Sequence, residues 1–198
     1  MHTIERSFVM IKHDGIQRSL VGEIVGRFER AGLKIVGMKM IIPDRERALT
    51  HYGKDDAWCE RKGANQIKDM ERLGKTPTKS AVEYGRDIVD TLIKYITSGP
   101  VVQLVLEGNH AVAIVKKLVG GTEPLTSDVG TIRGDFTIDS YELANAMNRS
   151  TRNLIHCTGE SEESDFEINL WFKKEELLSY RHINEAMIKD VDIDGYTE

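Results

Sequence analysis

The chain has 198 residues, 40% of them hydrophobic and 30% charged, which suits one domain of ordinary size or a compact core with a sizeable insertion. A formal net charge of -5 and a pI of about 5.7 argue against a general nucleic-acid binder, which needs a basic surplus. They do not exclude a small anionic ligand held by a local cluster of cations. Cys59 and Cys157 alone make no disulfide framework, and no run of about 18 apolar residues marks a membrane span, so a cytoplasmic location is expected.

Ser7 to Lys12 reads as a short buried strand, followed by a polar turn at His13-Asp14-Gly15. Leu20, Val21, Ile24, Val25, Phe28 and Ala31 fall on one helix face, with Gly32 at the stop. Leu33 to Ile42 reads as a strand with Val36, Met38, Met40 and Ile42 on one face. Asp44 then caps a short helix that runs to about Tyr52. A helix from Trp58 to Leu73, stopped by Gly74, is expected in the polar region that follows, and another from Arg86 to Thr97. After Gly99-Pro100, Val101 to Leu106 is the clearest strand in the chain. Asn109 to Val119 is amphipathic, and Gly120-Gly121 closes it.

Thr122 to Arg152 is expected to be irregular, with a helical turn near Tyr141 to Met147. Asn153 to Cys157 reads as the last strand. Ser161, followed by Glu162 and Glu163, opens a helix to about Phe172, with carboxylates where they favour the dipole. The order is βαββαβ with extra helices. It implies an α+β, ferredoxin-like, four-stranded antiparallel sheet with helices on one face, in a single domain over residues 1–198. The acidic tail from Asp190 to Glu198 is expected to be mobile.

Polar residues gather at strand ends and in the long loop: Lys12, Tyr52, Lys116, Thr122, Arg133, Asn153 and His156. Taken singly each is bland. A histidine in a strand is more often structural than catalytic, and Gly120-Gly121-Thr122 is usually just a helix stop. The stretch ERSFVMIKHDGIQRSLVGEIVGRFERAGLKIVGMKM, together with YITSGPVVQLVLEG, KKLVGGTEP, GTIRGDF and NLIHC, resembles the nucleoside diphosphate kinase family, block after block in the right order.

That resemblance implies ping-pong transfer of a γ-phosphate to a nucleoside diphosphate through a phosphohistidine. It puts His156 at the nucleophile's position and Glu167 at the position that pins the ring's other nitrogen. Thr158 falls at the place of a hydroxyl near the histidine. It further assigns Lys12, Tyr52, Lys116, Thr122, Arg133 and Asn153 to the nucleotide's phosphates and ribose, with Arg133 as a bidentate clamp. It implies Mg2+ bound through the nucleotide phosphates with few or no protein ligands, and assembly into a homo-oligomer. ATP and other nucleoside di- and triphosphates are the expected partners; a membrane is not, and nucleic acid is disfavoured by the charge.

Four departures from the family stand out. His13 replaces a usual proline, Lys116 replaces an arginine, and Gly159 removes a carboxylate beside the histidine, which Glu160 is the candidate to replace. Two insertions, about residues 53–84 and 138–151, lengthen the chain. They leave the base-stacking residue open between Trp58 and an aliphatic side chain. The departures at Lys116 and Gly159 also keep open a weakly active, nucleotide-binding or scaffold member.

Overall fold

A computed structural model describes residues 4–189. The acidic tail lies outside the described residues. The elements run β1 (Ile4–Ile11), α1 (His13–Gln17), α2 (Val21–Arg30), β2 (Lys34–Ile41), α3 (Arg45–Tyr52), α4 (Asp56–Arg72), α5 (Ala81–Ile96), β3 (Val101–Asn109), α6 (Ala111–Val119), α7 (Ile132–Phe136), α8 (Tyr141–Ala146), β4 (Ile155–Cys157), α9 (Ser161–Trp171) and α10 (Ile183–Lys189). The strands form one sheet in the order β2-β3-β1-β4, and every neighbouring pair is antiparallel. This is the ferredoxin-like α+β arrangement expected from the sequence.

The period-two alternation of β1 explains where the helices sit. Val9 and Ile11 point to one face and meet Ile24 and Phe28 of α2 and Val115 and Val119 of α6. Phe8 and Met10 point to the other and meet Ile93 and Ile96 of α5 and Ile168 and Trp171 of α9. Helices therefore cover both faces of the sheet, not one. The second layer exists because β1 and β3 are apolar on both sides, a pattern that a sheet wet on one face would not carry.

Several local differences have plain causes. The expected turn at His13 is the helix α1, with His13 packed on Tyr95 at a ring distance of 4.0 Å. α5 begins at Ala81 because Ser80 accepts from the Glu83 amide while Glu83 returns a bond to the Ser80 amide, a reciprocal cap. α7, inside the stretch expected to be irregular, is capped by Thr131. β2 carries a bulge between Ile35 and Gly37, so Val36 is buried while Met38, Met40 and Ile42 are exposed. The expectation that these four share a face fails at that extra residue.

The first insertion is dominated by α4, which lies against α5. At Gly63 an added Cβ would sit 1.7 Å from the Ala81 carbonyl oxygen, and at Gly85 2.1 Å from that of Cys59. Only glycine allows backbones this close.

Candidate active site

His156 sits in the middle of β4, paired with Met10 of β1. Its ring Nε2 lies 2.9 Å from Glu167 Oε1, and Glu167, on α9, is buried. The second carboxylate oxygen of Glu167 accepts a 2.6 Å bond from Thr158. Because a carboxylate only accepts, Nε2 of His156 carries the hydrogen and Nδ1 is bare. Burial, then the charges of Lys12 and Arg133, push the His156 pKa down to about 3. The ring is neutral and nucleophilic across the physiological range.

A second histidine that the sequence did not single out lies beneath it. His51, at the end of α3, is 4.5 Å from the His156 ring in an edge-on contact. The indole of Trp171 donates to His51 Nδ1 at 3.1 Å, so the His51 hydrogen is on Nε2, which faces Glu167 Oε1 at 3.5 Å. His51, His156 and Glu167 are close enough together to suggest a metal site. The tautomer argues otherwise, since the His51 nitrogen aimed inward bears a hydrogen, which faces Glu167 without forming a hydrogen bond. No sequence signal marks His51; it is one of six histidines, and only the fold brings it under the site.

The cations stand on the same floor. Lys12, the N-terminal cap of α1, donates to Asn153 Oδ1 at 2.7 Å, and Asn153 Nδ2 donates to the Thr122 carbonyl at 2.9 Å. Burial, then Arg133, lowers the Lys12 pKa to about 8. Arg133 donates to four carbonyls: Asn153 at 3.2 Å, Gly120 at 3.1 Å, Gly121 at 3.0 Å and Ile155 at 2.6 Å. One of a guanidinium's five N–H bonds is then left, so in this conformation Arg133 ties the Gly120–Gly121 loop to β4 and is not free to act as a two-pronged clamp. Gly120 is held at φ +87° with Thr131 against it, where any Cβ would clash. The Tyr52 hydroxyl is buried without a partner, its ring 5.6 Å from that of His156.

These groups line the floor of a cleft of about 930 Å³, together with exposed Lys116 and Thr122. All seven residues assigned to phosphate chemistry by resemblance thus converge on one opening, and Glu167 stands behind it. A carboxylate does stand beside Gly159, but it comes from another direction. Glu163 of α9 accepts the Gly159 amide at 3.0 Å and lines the cleft, whereas Glu160 is exposed and is not among the lining residues. The far wall comes from the insertions: Trp58 and Gln66 of α4, and Tyr141 and Asn145 of α8.

A neutral histidine with one nitrogen pinned and one bare, ringed by fixed cations at the end of an open cleft, is the equipment of a phosphoryl-transfer enzyme. The comparisons narrow this. The family model described as "Nucleoside diphosphate kinase" matches residues 5–61 and 78–177, leaving out the greater part of α4 and the loop after it. A nucleoside diphosphate kinase of Pyrobaculum aerophilum is 44% identical over 180 residues, covering 88% of this chain and 98% of that one. The crystal structure of an NDP kinase from the same organism superposes with a TM-score of 0.84 at 42% identity, covering 89% of this chain and all of that one. The Borrelia burgdorferi enzyme, solved as a transition-state mimic with vanadate and ADP, gives 0.77 at 35% identity, covering 93% and 96%. The chain belongs to the nucleoside diphosphate kinase family, and it is a phosphotransferase.

Proposed function

We propose that the chain moves the γ-phosphate of a nucleoside triphosphate to a nucleoside diphosphate through His156. The observation that carries this is the 2.9 Å contact between His156 Nε2 and Glu167, which leaves Nδ1 bare in a cleft also lined by Lys12 and Arg133. In the first half-reaction an N–P bond forms at Nδ1 while the bond from phosphorus to the β–γ bridging oxygen breaks. The departing diphosphate keeps that electron pair. No proton need be removed, because the attacking nitrogen carries none. A second diphosphate then attacks the phosphohistidine and restores the ring. The Borrelia relative was solved with bound vanadate and ADP, which supports a nucleotide as the ligand.

Lys12 supplies a positive charge to the transferring group, the unpartnered Tyr52 hydroxyl is a donor in waiting, and Asn153 bridges Lys12 to the Thr122 loop. Glu167 and His51 are positioning residues that act through His156. Mg2+ fits as a passenger on the nucleotide. The cleft's lining carboxylates are Asp69, Asp87 and Asp90 on the helical wall and Glu163 beside Gly159, so no carboxylate pair faces the cations. When bound, magnesium neutralises charge on the phosphate oxygens. Exposed Met38 and Met40 on the edge strand β2, with Ile42 just beyond its end, favour a homo-oligomer, which light scattering tests.

Incubation with γ-labelled ATP should give an acid-labile, base-stable phosphoprotein, and His156→Ala should abolish it. Equal labelling of that variant would falsify the assignment. Lys116 and Gly159 favour a second reading, a slow nucleotide-binding member. A steady-state assay with ATP and a pyrimidine diphosphate separates the two, since the second reading requires turnover near background.

A further inference from the structure

The cleft continues past the cations into a region walled by the two insertions and by α5, where Ile88 and Thr91 line it. Along α4, Trp58, Lys62, Gln66 and Asp69 line it, spaced four, four and three residues apart on one helix stripe. At 1.5 Å per residue, Trp58 and Gln66 are about 12 Å apart along the axis, comparable to the reach of a nucleotide from its phosphates to the far edge of its base. Trp58 marks the catalytic end, because Lys54, one turn before it, lies close enough for its charge to act on His156 and Glu167. Gln66 marks the distal end. Across from it stands Asn145 of α8, and the same two amides also line a smaller cavity of about 170 Å³ between the insertions. Gln66 Oε1 is buried with no hydrogen-bond partner. The two helices are joined at the rim by an ion pair of 2.9 Å between Arg72 and Glu142.

Each amide offers two donor hydrogens and an acceptor oxygen, and turning it exchanges them. Such a group suits the mixed edge of a nucleobase, while a phosphate would call for cations. We propose that Gln66 and Asn145, one from each insertion, form a subsite for the polar edge of a nucleobase and give the enzyme a preference for purine nucleotides. A purine's second ring carries its edge deeper into the distal end than a pyrimidine's. The subsite rests on the reading that the nucleotide's phosphates sit at His156.

The test is calorimetric titration of ADP, CDP and inorganic tripolyphosphate into the full chain and into Gln66→Leu and Asn145→Ala, with labelling from ATP followed in parallel. Wild type should bind ADP more tightly than CDP. Each variant should bind ADP roughly tenfold more weakly, the worth of about one net hydrogen bond. CDP should change by less than about threefold, tripolyphosphate binding should be unchanged, and labelling at saturating ATP should persist. Unchanged ADP affinity in both variants overturns the proposal, as does a parallel loss of tripolyphosphate binding. A wild-type protein that binds ADP but is never labelled at His156 overturns the phosphotransfer reading, and the variants still decide the subsite. A wild-type protein that binds no ADP overturns both.

Discussion

The floor of the cleft and its helical wall are built on opposite rules. On the floor, Glu167 and Arg133 are each tied several times over. Glu167 meets His156, Thr158 and His51, and Arg133 holds four carbonyls. On the wall the charged groups pair in water, as Arg72 does with Glu142 at 2.9 Å and Asp69 at 3.7 Å, with Arg72 and Glu142 both more than half exposed. A buried group that loses a partner is left desolvated and unpaired, whereas an exposed one is simply rehydrated. Damage to the floor should therefore show in rate, and damage to the wall in which nucleotide binds and how well.

The largest effect expected is at Glu167→Gln. The amide presents both a donor and an acceptor to His156, so the ring is no longer held with its hydrogen on Nε2. The kcat should fall on the order of 10²-fold with KM little changed. Stopped-flow measurement of phosphoenzyme formation checks this; a raised KM at wild-type kcat would make Glu167 a binding group. Next comes Lys12. Burial and Arg133 lower its pKa to about 8, so the free enzyme carries this charge below that pH and loses it above. Bound phosphate favours the charged form, so kcat/KM should decline through about pH 8 while kcat stays flat for roughly another unit. In Lys12→Arg the alkaline limb should disappear even if the rate is lower throughout. A limb that survives that change belongs to another group.

The contrast between floor and wall also explains what could be read from the chain. Strand and helix periodicity placed the sheet and most helices, because β1, β3 and α2 are patterned by the core they enter. The resemblance singled out the residues that converge on the cleft floor, since their blocks are nearly contiguous. His51 was illegible because its meaning lies in Trp171 and Glu167, distant in sequence and joined only by packing of α3 on α9. Arg133 was legible as a cation but not as the tie between Gly120–Gly121 and β4, because carbonyl contacts leave no mark in composition. The role of Glu163 depends on the local turn at Gly159, where a side chain three residues beyond Glu160 reaches back to the amide. The two-sided core is legible in β3, where the run Val101 to Leu106 is apolar but for Gln103, against the usual habit of antiparallel sheets.

Lys116 is intermediate between floor and wall, exposed yet turned to the cleft from the last turn of α6. Lys116→Arg restores a planar fork without disturbing any buried group, and should tighten nucleoside diphosphate binding by a few-fold. Unchanged or weaker affinity by calorimetry would mean that the position no longer faces phosphate.

The smallest effect should come from the rim. Arg72→Ala removes exposed ion pairs to Glu142 and Asp69, with the Arg72 side chain 59% accessible, so stability should change little. Thermal unfolding should barely move. The pair with Glu142 nevertheless joins α4 to α8 across the distal cleft, so the same variant should weaken ADP binding modestly while leaving tripolyphosphate unaffected. Glu142→Ala should behave alike, and the double variant should add little to either, as two changes to one contact must. Losses that instead sum, or a clear drop in thermal stability, would mean the two insertions are held together by more than their rim. The wall would then share the floor's rule after all.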